Sequence, residues 1–240
     1  MSVAGDTLHQ PEHMSAPTPA VEGRELATKI GAALPRQISG QDATLQMKEL
    51  GGQWRQMEWP AFFTEFRVAQ IMESTLGARP GPTIGNMSFD LQRSYVWDLK
   101  VHTSNAGKKA PLNDRLATLE CLSDYGGLGY IIVSGTSTPD TDGTFKLWQD
   151  QLKGKPSAYV QANQMRGASH RMRKAAFSFQ EIHVIWFADH SDLELAQHAG
   201  AVTGFQENFR NSNQKPRRGK FLLDLDKLPG TLEVARIPIH

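Results

Sequence analysis

The sequence is poor in several features that would have classified it at once. It contains one cysteine, Cys121, in 240 residues. A lone thiol excludes an internal disulfide framework and any zinc site built from several cysteines, and it fits a reducing cytoplasmic setting. No stretch approaches the roughly 18 consecutive apolar residues that a membrane helix needs, so no membrane partner is expected. The opening MSVAGDTLHQPEHMSAPTPAVEGRE lacks the basic start and apolar centre of a signal peptide. Net charge is nearly absent: 26 Lys and Arg against 25 Asp and Glu leave +1, so a polyanionic partner must be met by local basic patches. There is no GxSxG elbow, no GxGxxG and no Walker-type loop, and YGGLG precedes a strand-like run where a dinucleotide cradle would follow one. Acyl transfer and nucleotide cofactors are therefore without support.

What is present reads as an ordinary globular protein, with 39% apolar and 21% charged residues. Residues 1–22 are polar and proline-bearing and read as a flexible arm, and 23–240 as a single domain. His9 and His13 have the i, i+4 spacing of a helical metal pair, but in this proline-interrupted segment the spacing is taken as coincidence. Short helices are predicted over 24–34 and 42–50, and a longer one over WPAFFTEFRVAQIMESTLG, with Pro60 in its first turn and Gly77 at its end. Phe62, Phe66, Ala69, Met72 and Leu76 share one stripe of that helix, and Glu65 and Glu73 fall on it too. Strands are predicted over 87–91 and 95–103 as a hairpin, then at 128–137, 181–188 and 220–225, with a helix in 110–126 that starts near Asn113 and is stopped by Gly126 and Gly127, and helices at 144–152 and 192–200. The fold class is α/β, a mixed central β-sheet flanked by helices.

The stretch SFDLQRSYVWDLKVHTSN puts Asp90, Asp98 and Lys100 into segments that are otherwise apolar. Side chains alternate along a strand, so Asp98 and Lys100 project from one face about 7 Å apart. A three-residue loop at Arg93, Ser94 and Tyr95 sets Asp90 opposite Asp98; an even-numbered loop turns it to the other face unless a bulge intervenes. Two carboxylates brought together repel one another unless a cation lies between them, and hard oxygen ligands suit Mg²⁺, with Mn²⁺ as a substitute. Such an ion acidifies a bound water and stabilises charge on phosphate oxygens, and an ammonium nearby orients the water and neutralises developing charge. His102 shares this face and reads as a polar neighbour.

This arrangement resembles the PD-(D/E)xK nuclease superfamily, in which an Asp on one strand is followed by acid-x-Lys on the next, here FD ending at Asp90 and WDLK ending at Lys100. The order helix, hairpin strands, helix, strand over residues 60–136 is similar to that family's core. By resemblance Asp90 and Asp98 bind metal, the carbonyl of Leu99 is a further ligand, and Lys100 acts on the water. In some members a glutamate of the preceding helix also reaches the metal, which makes Glu65 and Glu73 candidates. Phe89 stands where the family often has proline, and the seven residues between Asp90 and Asp98 are at the short end of its range. The resemblance implies a restriction-endonuclease-like core at about 59–137.

Three polar-basic segments follow. TSNAGKKA carries Lys108 and Lys109. NQMRGASHRMRKAA carries Arg166, Arg171, Arg173 and Lys174. NFRNSNQKPRRGK carries Arg210, Asn211, Asn213, Gln214, Lys215, Arg217, Arg218 and Lys220. Lys and Arg neutralise phosphates, while Arg, Asn and Gln also read base edges, so segments at about 161–220 are expected to contact double-stranded DNA. The expectation is a Mg²⁺-dependent endodeoxyribonuclease, a type II restriction enzyme, and a homodimer because cutting two strands takes two centres. The alternatives are a repair or recombination nuclease of the same fold that reads DNA structure, and a DNA-binding protein without catalysis.

Overall fold

A computed structural model of the chain describes residues 16–107, 109–154, 161, 165–167, 172–206, 209–210 and 216–240. The central sheet has the order β1 (Gln37–Ser39), β8 (Lys174–Phe187), β7 (Leu128–Pro139), β5 (Val96–Thr103), β4 (Leu91–Gln92), and β11 (Glu233–Pro238) also pairs with β8. β5 and β7 run parallel and the other pairs antiparallel, so the sheet is mixed. Parallel neighbours need a crossover. It is made by β6 (Lys109–Asp114) and α4 (Arg115–Tyr125). A smaller sheet, β6-β10-β9, is formed with β9 (Val202–Phe205) and β10 (Lys220–Asp224), and β2 (Thr83–Ile84) pairs with β3 (Met87–Ser88).

Helices cover both faces of the central sheet. α1 (Pro19–Ala33), α2 (Gly40–Glu49), α3 (Trp59–Ile71) and α5 (Thr144–Lys153) bury Leu26, Met47, Phe63 and Phe145 in a core shared with Trp97, Leu99 and Val184. On the other face α4 and α6 (His190–His198) pack Cys121, Leu122 and Leu193 against Val96, Tyr130 and Phe187. Trp97 sets the phase of β5. Its ring lies on Gly129, where a Cβ would approach it to 2.0 Å, and on Gly23, where a Cβ would approach it to 2.4 Å. With Trp97 and Leu99 turned toward α1, strand alternation sends Val96, Asp98 and Lys100 to the α4 face. Among the described residues no helix is long and apolar enough to cross a membrane.

Several sequence expectations need correction. α1 begins at Pro19, capped by the Thr18 hydroxyl, so its first turn occupies residues assigned to the arm. The helix expected to start near Asn113 starts at Arg115: Asp114 is the N-cap of α4 and accepts from Leu116 N and Ala117 N, and Asn113 and Asp114 end β6. The buried face of α3 is Trp59, Phe63, Thr64 and Val68, while Ala69 is exposed. Phe62, Phe66 and Met72 of the expected stripe pack partly buried against the same core, and Leu76 is fully buried at the end of a π-helical turn, Met72–Leu76, that follows the α-helix. β8 begins at Lys174, seven residues before the start read from the sequence, and β1, β9 and β11 carried no clear local signal. His9 and His13 lie outside the described residues.

Glu22, in the first turn of α1, is fully buried. Its carboxylate accepts from Ser94 N at 3.1 Å, Tyr95 N at 3.1 Å and Trp97 Nε1 at 3.0 Å. These donors belong to the loop between β4 and β5 and the residues just after it, so one acid from α1 holds the turn that sets the strand register. Hydrogen bonds to a charged acceptor are worth about 1.5–3 kcal/mol, and abandoned buried N–H groups add a desolvation cost. Glu22→Ala is therefore expected to destabilise the protein by about 3 kcal/mol in urea unfolding. A loss below about 0.5 kcal/mol would remove Glu22 from this role.

Candidate active site

β4 pairs with β5 through Leu91 opposite Trp97 and Gln92 opposite Val96, leaving Arg93, Ser94 and Tyr95 as the connecting loop. The next step of this register sets Asp90 against Asp98, as the odd-numbered loop predicts. The ladder stops there. Phe89 N instead bonds to Pro82 O at 3.0 Å, so the chain preceding Asp90 turns toward the β2–β3 hairpin. The edge of β5 is left without a backbone partner at Leu99.

Two side chains occupy that gap. Asp90 Oδ2 accepts from Leu99 N at 2.7 Å, taking the place of a ladder carbonyl. Lys100 Nζ lies against Asp98 Oδ2 and donates to Leu99 O at 3.3 Å. One ammonium is thus shared by the Asp98 carboxylate and the Leu99 carbonyl, which makes this pair of oxygens a cation seat. The remaining Asp98 oxygen, Oδ1, accepts from Asn113 Nδ2 at 2.8 Å. The Asp98 side chain is 1% exposed and the Lys100 side chain 23%, so the acid is buried and the lysine is partly exposed along its length.

The electrostatics follow from crowding. Burial, then the Asp98 carboxylate, pushes Asp90 up to about 7, against the opposing pull of Lys100 and the Leu99 N–H. Burial alone would lower Lys100, but Asp98, Asp90 and Glu65 together outweigh it and its pKa is raised. Lys100 is therefore an ammonium at neutral pH and no proton acceptor. Glu65 stands on α3 as a solvent-exposed residue; the protein around its carboxyl raises its pKa, Lys100 lowers it and Asp98 raises it. The helix glutamate that acts on Asp90 and Lys100 is Glu65. Glu73 lies exposed in the π turn. Burial, followed by Asp98 and Asp124, pushes the Cys121 thiol up to about 12, which makes it inert as a nucleophile. His102 is buried with both ring nitrogens engaged, by Ser134 Oγ at 3.3 Å and Gly107 O at 2.9 Å.

The basic residues divide into three groups. Arg217 and Arg218 are exposed, and Lys220 is half-buried at the start of β10. Lys220 pairs with Asp114 and Arg218 Nε lies 3.9 Å from Asp114 Oδ2, next in sequence to the Asn113 that holds Asp98. The small sheet therefore carries a basic segment from far along the chain to the flank of the acids. Lys109, Arg166 and Arg210 are exposed. Arg173 and Lys174 do not suit DNA contact. The Arg173 guanidinium is buried and donates to Lys146 O at 3.1 Å, Gln149 Oε1 at 2.7 Å and Asp150 Oδ1 at 2.6 Å, fastening α5 to β8. Lys174 Nζ is paired with Glu58 at 2.5 Å. Lys108, Arg171, Asn211, Asn213, Gln214 and Lys215 lie outside the described residues.

Asn113 and Glu22 are the residues that the sequence reading missed. The only local hint of the first was the Asn-Asp pair before α4, which reads as a helix cap. Comparison of the chain with protein-family models, with curated proteins and with solved structures finds no match.

Proposed function

We propose that the protein is a Mg²⁺-dependent endodeoxyribonuclease of the PD-(D/E)xK kind, with a restriction-endonuclease-like core, acting as a homodimeric type II restriction enzyme on double-stranded DNA. The observation that carries this reading is the cation seat at the broken edge of β5, where Asp98 Oδ2 and Leu99 O share the Lys100 ammonium beside Asp90. The order α3, β4–β5 hairpin, α4, β7 also suits it.

The donor set fits the ion. Asp90, Asp98 and the Leu99 carbonyl offer hard oxygens only. Among the described residues no group of three or more His, Cys, Asp or Glu side chains forms a ready-made metal cage. Mg²⁺ is commonly held by one or two carboxylates, its own waters and substrate phosphate, so two acids and a carbonyl are sufficient. Bound there, the ion would supply Lewis-acid stabilisation of the phosphate oxygens and a more acidic water. The protein's own groups do the rest. Asp98, anchored through Oδ1 by Asn113, keeps a fixed direction for Oδ2. Lys100, permanently charged, donates to the attacking water or a non-bridging phosphate oxygen as the water forms a bond to phosphorus and one P–O ester bond breaks. Glu65, an exposed acid whose charge acts on Asp90 and Lys100, would take the proton of the attacking water through an intervening water, and the leaving ester oxygen would be protonated from solvent.

Mixed-sequence plasmid incubated with and without Mg²⁺ tests the reading. Discrete fragments that appear only with the ion are expected. Nicking confined to branched or damaged DNA would favour a repair nuclease, and shifted but intact DNA would reduce the protein to a binder. Replacing both Arg217 and Arg218 by Ala should weaken DNA binding uniformly across sequences and lower the slope of log K against log salt by about 2. An unchanged slope would take this segment out of the DNA footprint.

A further inference from the structure

The alternation of burial along β6 fails at its end. Ala110 is buried and Pro111 exposed, but Leu112, Asn113 and Asp114 are all buried in succession. The register with β10 explains this. Asp114 faces Lys220 and Pro111 faces Leu222, so Leu112 and Asn113 together oppose the single residue Phe221. That is a β-bulge with its extra residue on β6. Bulges bend a strand and re-aim a side chain, and this one turns Asn113 toward β5.

An asparagine 2% exposed is costly unless its amide is used. Asn113 Nδ2 donates to Asp98 Oδ1 at 2.8 Å, and Asp98 is itself 1% exposed. The strand around it is held on both sides of the bulge, by the Pro111–Leu222 pairing before it and by the Lys220–Asp114 pairing and the bond from Arg115 N to Gly219 O at 2.9 Å after it. The amide is fixed in place and is not a surface group that happens to lie nearby.

We propose that Asn113 is a positioning residue: the β6 bulge holds its amide on one oxygen of Asp98, so that the other oxygen is turned toward Lys100 and a divalent ion. This rests on reading Asp98 as an ion ligand. Groups that orient a metal ligand typically affect ion affinity or turnover by about 10–100-fold when removed. Asn113 touches neither ion nor DNA in this arrangement, so its effect should fall on kcat and ion affinity and spare the KM for DNA.

The test uses Mn²⁺ as the probe, with free Mn²⁺ followed by electron paramagnetic resonance, alongside plasmid cleavage kinetics on the full chain. Asn113→Leu keeps the side-chain shape without a donor, and Asn113→Ser keeps a donor. Asn113→Leu is expected to weaken Mn²⁺ binding and lower kcat by about 10–100-fold each, with KM for DNA within about twofold of wild type. Asn113→Ser should recover part of both losses. If Asn113→Leu does not fold, the comparison of Asn113→Ala with Asn113→Ser reads the same difference. Donor-free variants that melt at lower temperature yet bind Mn²⁺ and turn over as wild type does would mean a structural role only, and would overturn the proposal. Weakened Mn²⁺ binding in the variants of a protein that cuts no DNA would sustain the positioning role while removing the nuclease reading. A wild type that binds no Mn²⁺ would overturn both.

Discussion

Lys100→Met should leave the protein at least about 10²–10³-fold slower in plasmid cleavage, the usual cost of removing one preorganised donor from a transition state. The same change carries a stability penalty. Asp98 is 1% exposed and paired with the Lys100 ammonium. Deleting one partner of a buried ion pair costs about 3–5 kcal/mol, because the remaining charge is left uncompensated. Loss of cutting in the single variant is therefore ambiguous by itself. Adding Asp98→Asn removes the second charge, so the double variant should regain most of the lost stability in urea unfolding while remaining inactive. Rescue of folding without rescue of cleavage separates chemistry from stability. A Lys100→Met protein that cuts at the wild-type rate would end the assignment of this site.

The second large effect concerns Asp90 and pH. Its carboxyl is raised to about 7 in the folded chain, by burial first and by Asp98 next. In the unfolded chain it titrates near 4, at its ordinary value. Between about pH 4 and 7 the folded state therefore holds a proton that the unfolded state has lost. Unfolding free energy must then fall as pH rises through this window, and the full penalty is present above about 7. Asp90→Asn abolishes the titration while retaining an oxygen for the Leu99 N–H. In the ion-free protein it should stabilise by about 2–4 kcal/mol at pH 8 and by almost nothing at pH 4, read from urea unfolding at each pH. Mg²⁺ should raise the melting temperature of the wild type more at pH 8 than at pH 6, since a ligand carboxyl must be deprotonated to bind. It should do little for Asp90→Asn. Parallel stability curves for wild type and variant across pH 4–8 would show that Asp90 is not the group held protonated.

The two predictions draw on different levels of the chain. The effect expected of Lys100 rests on WDLK read as a strand that follows another strand-borne acid, Asp90, and a helix. The pH window could not be read in this way, because it depends on how deeply the edge of β5 is enclosed and on which acids converge there. The same split recurs elsewhere. Arg173 and Lys174 read as basic loop residues in the sequence, where nothing distinguishes a guanidinium that will meet phosphate from one that will be buried among Lys146 O, Gln149 and Asp150. Glu65 and Glu73 read as equivalent on a helical wheel, but Glu65 lies in the regular α-helix and Glu73 in the π turn that follows it, and it is Glu65 that acts on Asp90 and Lys100.

By itself the sequence determined the elements whose signals are local: the helices over α1 to α3, the strand β5, the apolar β7, and the sharing of one face by Asp98 and Lys100. The hairpin strand read over 87–91 is instead divided between β3, which pairs with β2, and β4, which pairs with β5. Period-two alternation and the loop at Arg93, Ser94 and Tyr95 act over a few residues and can be counted. Only the tertiary structure decided that the ladder would open at Leu99, that Glu22 would hold the turn, and that a bulge on β6 would bring Asn113 to Asp98. Those outcomes depend on pairings between distant segments, including β6 with β10 across more than a hundred residues. Such pairings are selected by packing and by the satisfaction of buried polar groups, and they leave no periodic trace in the chain.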